Sequence, residues 1–236
     1  MATCLSLIQT ICAELGLTQP TSAVGSSDSQ IANLVALCNR EGQTLAKRTD
    51  WTALQLQASF TTQAQEDQGA MATIAPGIKY ILNDTIWNRD LRRPIFGPAT
   101  PQEWQQQHAY AINGPWSQHR VQGGRLLMYP IPVAGQHCYF EYATKNWCTN
   151  AAGDTSYSAW AHDDDVLLLD EDLLILGTIW RWKKHKGFEY AEDFADYERQ
   201  VLDAMARDGG KPNLNMTGST YDIQPVVIVP SGSWNL

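Results

Sequence analysis

The chain contains few charged residues and no excess of positive charge. Charged residues make up 18% of its 236 residues, and 25 acidic against 17 basic side chains leave a net charge of -8. Proteins that hold a phosphate backbone release counterions through clustered Lys and Arg. The composition therefore argues against a protein that grips nucleic acid, although nucleic acid could pass beside it without specific binding.

Long apolar runs of the kind that enter membranes are also missing. Residues 1–5 lack the basic start and apolar core of a secretory signal. The longest apolar stretch, residues 165–182, is interrupted by Asp170, Glu171 and Asp172, which is incompatible with a bilayer span. We expect a protein made and used in a cytoplasm, with no membrane partner.

Motifs for metal, disulfide or nucleophile chemistry are not present either. The five cysteines are odd in number and form no CxxC pair, so we interpret them as small core side chains or spectators, with neither a disulfide nor a zinc site. The chain contains no GxSxG, HExxH or GxxxxGK[ST] sequence. These observations predict no catalytic residue, no bound metal and no cofactor.

What the chain does contain is a helical start. Apolar residues recur at spacings of three and four over residues 3–17, which predicts an amphipathic helix that stops at Gly16. Ser27, with Gln30 three residues later, predicts the cap of a second helix. Trp51 follows Asp50 at the end of that helix, and we interpret its ring as core packing.

Alternating patterns follow this helical start. Leu54, Leu56, Ala58 and Phe60 alternate with polar residues, which is typical of a strand with one buried face. Thr100, Pro101 and Glu103 predict the start of a short helix. Further strands are predicted at residues 80–88, 91–96, 125–129 and 138–143, so the middle of the chain is mainly β.

Helices return near the end of the chain. Residues 170–172 supply carboxylates at the start of one helix, and cations at residues 181–186 precede Gly187 at its end. Phe194, Tyr197, Val201 and Met205 form the apolar stripe of a second helix. We expect the two to form an antiparallel hairpin with a short glycine turn.

The last residues form the most unusual segment, which we name the C-terminal arm (residues 209–236). Gly209, Gly210 and Pro212 cannot continue the preceding helix. An apolar run between Pro225 and Pro230 then predicts an extended strand. Such a strand either lies on its own domain as an edge strand or adds to a neighbouring chain.

Two clusters suggest other functions. Residues 162–165, His-Asp-Asp-Asp, are the densest set of hard-cation ligands, and a metal-dependent hydrolase centred on Asp163, Asp164 and Asp165 is one alternative. The simpler interpretation is a solvated approach to the apolar run that follows. The nine tryptophans suggest a carbohydrate-binding tail component, or more simply core and interface anchors; they include Trp87, Trp104, Trp116, Trp147 and Trp160.

Several stretches resemble the head-to-tail adaptor proteins of short-tailed bacteriophages. The resemblance includes residues 28–51 with an exposed-looking Asp50-Trp51, residues 129–147 with a PxPxxG turn and an FEYxxxxW strand, and residues 177–197 with WRWK and KGFEYA runs. Together with the order of helices, β-rich middle and late helix hairpin, it covers most of the chain.

The resemblance implies a structural protein rather than an enzyme. Such adaptors form a ring, generally a dodecamer of identical copies, beneath the portal protein; they continue the channel for double-stranded DNA and receive the tail nozzle protein. The protein would then be located in the virion at the head–tail interface, after assembly in the cytoplasm of the host bacterium. The C-terminal segment of these adaptors typically reaches along the portal, which implies that the arm binds portal through Tyr221, Ile223, Pro225, Val226, Val227, Ile228, Val229 and Trp234.

The fold that we predict is therefore α+β: a helical bundle, made of N-terminal helices and a C-terminal helix hairpin, with a β-rich insertion and an extended C-terminal arm. Its four segments are residues 1–50 for the N-terminal helices, 51–160 for the β-rich inserted module with one short helix, 161–208 for the helix hairpin and 209–236 for the arm.

Overall fold

The computed structural model describes residues 2–109 and 116–209, which adopt a mixed α+β fold. This confirms the predicted α+β class. The helices are α1 (Cys4–Glu14), α2 (Ser29–Arg48), α3 (Met71–Ile74), α4 (Pro101–Ala109), α5 (Glu171–Lys186) and α6 (Ala191–Arg207), with a 3-10 turn at Thr52–Leu54. The strands are β1 (Gln55–Thr61), β2 (Asp67–Ala70), β3 (Ile78–Ile81), β4 (Trp87–Asn88), β5 (Arg93–Pro94), β6 (Gln118–Gln122), β7 (Arg125–Tyr129), β8 (His137–Thr144), β9 (Cys148–Thr149), β10 (Ser156–Tyr157) and β11 (Val166–Leu167).

Side-chain caps explain where the helices begin. Thr3 and Ser6 form a reciprocal capping box at α1. The cap of α2 is Asp28, whose carboxylate accepts a 2.8 Å hydrogen bond from the Gln30 backbone N–H. The prediction of Ser27 as this cap was wrong: the carboxylate one residue later satisfies a free N–H and also suits the positive end of the helix dipole.

The caps of the later helices agree with the prediction. At α4, Thr100 Oγ1 accepts from the Glu103 N–H and the Glu103 carboxylate accepts from the Thr100 N–H. Helix α5 ends at Gly187, whose φ of 78° lies in the left-handed region that glycine adopts without strain. Helix α6 packs on α5, with the rings of Phe194 and Trp180 in edge contact at 5.0 Å.

Strand β8 is the centre of the largest sheet, and all pairs in this sheet are antiparallel. It pairs with β1 from Gln55↔Ala143 to Thr61↔His137, and on its other side it pairs with β3 and β4, beyond which lies β5. Two three-stranded sheets have the orders β2-β7-β6 and β10-β9-β11.

The structure corrects several strand predictions. The predicted strand at residues 80–88 is divided into β3 and β4 by a turn in which Asp84 has a φ of 60°, and the one at 91–96 contracts to two residues. On β1, Ala58 is buried as expected, but Leu56 is 41% exposed. Strand β1 lies at the edge of its sheet.

Two separate hydrophobic cores lie inside the molecule. The helical core contains residues from the first and last helices together with Trp147, Trp160 and Leu167. The β core is built from the strands between them and includes Ala58, Met71, Ile86, Ile95, Leu126, Met128, Cys138, Phe140 and Tyr142. Residues from both ends of the chain therefore share one core, and the middle of the chain forms the other.

Trp51 lies in the helical core and is only 7% exposed. Its indole N–H donates a 2.7 Å hydrogen bond to the Leu45 carbonyl, which satisfies the polar end of the ring. The packing interpretation of Trp51 is confirmed, and its exposed appearance in the sequence was misleading. Within the described part of the chain, no helix is long and apolar enough to cross a membrane.

Candidate interaction surface at the origin of the C-terminal arm

A buried polar contact fixes three helices against one another. Glu41 on α2 is fully buried, and its carboxylate accepts hydrogen bonds from Tyr197 Oη on α6 and from Arg181 Nε on α5. Burial, together with the neighbouring Glu41 carboxylate, raises the pKa of Tyr197 well above its ordinary value. Because no solvent reaches the Glu41 carboxylate, the contact positions helices and offers no catalytic group to a substrate.

Gly177 on α5 is the residue that makes room for this contact. A Cβ at that position would lie 2.5 Å from the Glu41 carboxyl carbon. The apolar pattern of α2 held a signal for this contact that sequence reasoning missed, since Glu41 lies three residues after Cys38 and four before Leu45 on the buried face.

Hydrogen bonds join the residue after α6 to the 3-10 turn that precedes β1. The Asp208 carboxylate accepts a 2.8 Å hydrogen bond from the Thr52 N–H and a 2.6 Å one from Thr52 Oγ1. Gly209 follows with a φ of 71°. The C-terminal arm therefore leaves the helices at a fixed place, directly beside the residues that lead into β1.

An open groove of about 600 Å³ lies next to this place, between the start of α5 and the end of α6. Its walls combine the apolar side chains of Trp51, Leu168 and Leu173 with four carboxylates and one guanidinium, contributed by Asp170, Asp172, Asp203, Asp208 and Arg207. Two of these carboxylates are already engaged, because Asp170 caps α5 and Asp208 binds Thr52. The groove thus places apolar and charged side chains beside the origin of the arm.

The portal-binding residues predicted from the sequence lie outside the described residues. This holds for Tyr221, Ile223, Pro225, Val226, Val227, Ile228, Val229 and Trp234. Their role stays a prediction, whereas the place where the arm begins is a finding.

The acidic cluster at residues 162–165 serves a different purpose from the one predicted. Asp163 accepts hydrogen bonds from the Ala23 and Val24 backbone N–H groups at 3.0 and 2.7 Å and from Ser22 Oγ at 2.7 Å. Asp165 is buried and accepts from the Ala161 and His162 N–H groups. The solvated approach predicted for this segment was therefore wrong at Asp163 and Asp165.

These hydrogen bonds also dominate the electrostatics of Asp163. Burial opposes ionisation of its carboxyl, but the donors at Val24, Ser22 and Ala23 outweigh that effect and hold the pKa below its ordinary value. Among the described residues, no group of three His, Cys, Asp or Glu side chains is arranged to hold a metal ion. The metal-hydrolase alternative thus gains no support from the geometry.

The described tryptophans lie in the helical core, at one buried position on α4 and at the surface. Trp104, Trp147 and Trp160 are buried, and the last two meet edge to face at 4.8 Å. Trp87 and Trp116 are more than one-third exposed but lie on different parts of the chain. Three of the five rings proposed for a sugar platform are therefore inaccessible to a ligand.

Comparison with known proteins adds no relative. No family model matches the chain, and no curated protein matches it.

Proposed function

We propose that this protein is a non-enzymatic head-to-tail adaptor of a bacteriophage virion. Identical copies, twelve in number by analogy with the adaptors that the chain resembles, form a ring beneath the portal protein. The ring continues the channel for double-stranded DNA without specific binding and attaches the tail nozzle protein. In this proposal, assembly takes place in the host bacterial cytoplasm, and the arm binds portal.

The observation that carries the proposal is the arrangement of the two cores along the chain. Helices from both ends of the chain share one core, and the strands between them build the other. This supports a helical bundle with a β-rich insertion, the architecture that the adaptor resemblance implies. The fixed origin of the arm at Asp208 supports the second element of the proposal, since it lets a body of constant shape present an extended segment to a partner.

Deletion of residues 221–236 tests the proposal directly. We expect the shortened chain to keep its far-UV circular dichroism and to lose attachment to purified portal rings in negative-stain electron microscopy. A chain of equal length, in which the same sixteen residues are permuted, is the matched control for the arm's sequence and should also fail to attach. Normal attachment of the shortened chain would overturn the proposal.

A further inference from the structure

Strand β1 leaves a long edge of the largest sheet open. It pairs with β8 over all seven of its residues without a register shift. Within residues 2–109 and 116–209, no hydrogen bond joins the outer edge of β1, from Leu56 to Thr61, to another element. Its sequence, QLQASFT, contains no charge, no proline and no glycine. Such an edge is a template for an added strand.

The other sheet edges carry the features that discourage such pairing. Strands β2 and β3 each contain a charged residue, Asp67 and Lys79, and a register shift. Strands β10 and β11 have only two residues each, and β5 consists only of Arg93 and Pro94. Strand β6 is covered in part by residues 96–99, where Phe96 and Ala99 exchange backbone hydrogen bonds with its first residues. By this contrast, β1 is the edge best suited to accept an added strand.

The C-terminal arm contains a segment whose sequence suits an added strand. Residues 223–229 read IQPVVIV, and β-branched residues of this kind favour strands. Pro225 lies within this segment and Pro230 follows it, and a proline inside a strand is found at sheet edges or bulges and not in central strands. Placed beside β1, the segment would become a new edge that the prolines protect from further pairing. It would also cover Leu56, which is 41% exposed.

The residues between α6 and the proposed strand are numerous enough to reach β1, and they begin close to its start. Asp208 holds the start of the arm beside Thr52, three residues before β1 begins. Residues 210–222 can span about 40 Å when extended, against about 23 Å for a seven-residue strand. A tether of this length keeps the segment at roughly millimolar effective concentration near β1, which favours pairing within one chain over pairing between chains.

From these observations we propose that residues 223–229 add to the outer edge of β1 of the same chain before assembly. The inference goes beyond the proposed function, because it gives the portal-binding segment a first partner within its own molecule. It needs no portal to be tested, so its failure and the failure of the adaptor proposal are separate results.

Hydrogen exchange of the full-length chain, followed by mass spectrometry of a peptide that covers β1, tests the pairing. The variant is Val227→Pro/Ile228→Pro, which removes backbone N–H groups on both sides of the segment and so acts whatever the register. The matched control is Ser219→Pro, which adds a proline to the connection only. We expect the outward amides of β1 to exchange at least about tenfold faster in the double variant than in the parent chain or the control.

Equal exchange of β1 in the parent chain and the double variant would overturn the proposal. Measurement at low and high protein concentration, with light scattering, identifies the source of the strand. Protection that is independent of concentration in a monomer supports pairing within the chain. Protection that appears only with dimers or larger species would overturn it in favour of a second copy.

Discussion

The helical core and the β core are stabilised in different ways. In the helical core, a fully buried carboxylate binds side chains from two other helices, so polar contacts lie deep inside. The strands bury polar side chains as well, at Gln68, Asn88 and His119, but no described Asp, Glu, Lys or Arg side chain of these strands is buried, and the largest sheet keeps an open edge at β1. The helical region is therefore the one held together by a buried charged contact, and the sheet is the one with an unpaired strand edge.

Removal of the buried carboxylate should have the largest effect. Glu41→Ala leaves Arg181 and Tyr197 without their partner, and breaking a buried pair costs about 3–5 kcal/mol in the free energy of unfolding. Urea denaturation of the parent and the variant measures this loss in the free energy of unfolding. The control is Glu198→Ala, which breaks a partly exposed pair with Arg48 and should cost less than about 1 kcal/mol. Equal losses would erase the contrast between interior and surface polar contacts.

A cavity in the β core should cost a similar or slightly smaller amount. Phe140 is 1% exposed, and Phe140→Ala is expected to reduce the free energy of unfolding by about 3–4 kcal/mol. Val133→Ala, at a side chain that is 70% exposed, should change it by less than about 0.5 kcal/mol. Thermal unfolding of both variants shows how strongly the strands depend on apolar packing, and a small loss for Phe140→Ala would contradict a major role for it.

An added methyl group in the helical core should have an intermediate effect. A Cβ at position 42 would lie 2.5 Å from the ring of Trp147, which is completely buried. Alanine favours the helical conformation by about 1 kcal/mol relative to glycine. The steric cost of the added methyl group exceeds this gain, so we expect Gly42→Ala to destabilise the protein by about 1–2 kcal/mol. Chemical denaturation gives the sign of the change in unfolding free energy. A stabilised variant would show that the side chains around Trp147 can move to accommodate the methyl group.

The contact between Asp163 and residues 22–24 should have the smallest effect and a distinctive pH dependence. We expect Asp163→Asn to cost about 1 kcal/mol at neutral pH, since solvent partly screens this incompletely buried site. Because the folded-state pKa is lowered, the ionised carboxylate stabilises the fold above its unfolded pKa, and this stabilisation is lost as the pH falls through the folded pKa.

The difference in melting temperature between parent and Asp163→Asn should therefore be constant from pH 7 to about pH 5 and shrink below about pH 4. The variant Asp164→Asn, at the exposed neighbouring position, is the matched control and should show no such trend. A difference that stays constant down to low pH would mean that the charge of Asp163 does not contribute.

Much of the helical structure could be predicted from the sequence, because it depends on local signals. The reciprocal contact of Thr100 with Glu103 and the left-handed Gly187 depend on residues close in sequence. The turn at Asp84 and the exposure of Leu56 depend instead on where β8 lies, and pairing across some fifty or more residues is not written in any short window.

The candidate surface was predictable only in part. The stop after α6 follows from Gly209 and Gly210, but the attachment of Asp208 to Thr52 joins residues 156 positions apart. Asp163 and Asp165 have side chains typical of a metal site, and only the fold shows that backbone N–H groups occupy their oxygens. Residue type suggested the wrong chemistry because the donors to Asp163 come from the distant residues 22–24, and those to Asp165 come from a local turn that residue type does not reveal.

The five cysteines give the protein a practical property. All are buried and unpaired, and burial raises the pKa of each thiol, to about 11 at Cys38 and about 12 at Cys138 and Cys148. Since the thiolate is the reactive form, the native side chains should be nearly inert to alkylating reagents and mild oxidants at neutral pH. A single cysteine introduced on the surface would then carry a dye or spin label selectively, without prior removal of the native thiols.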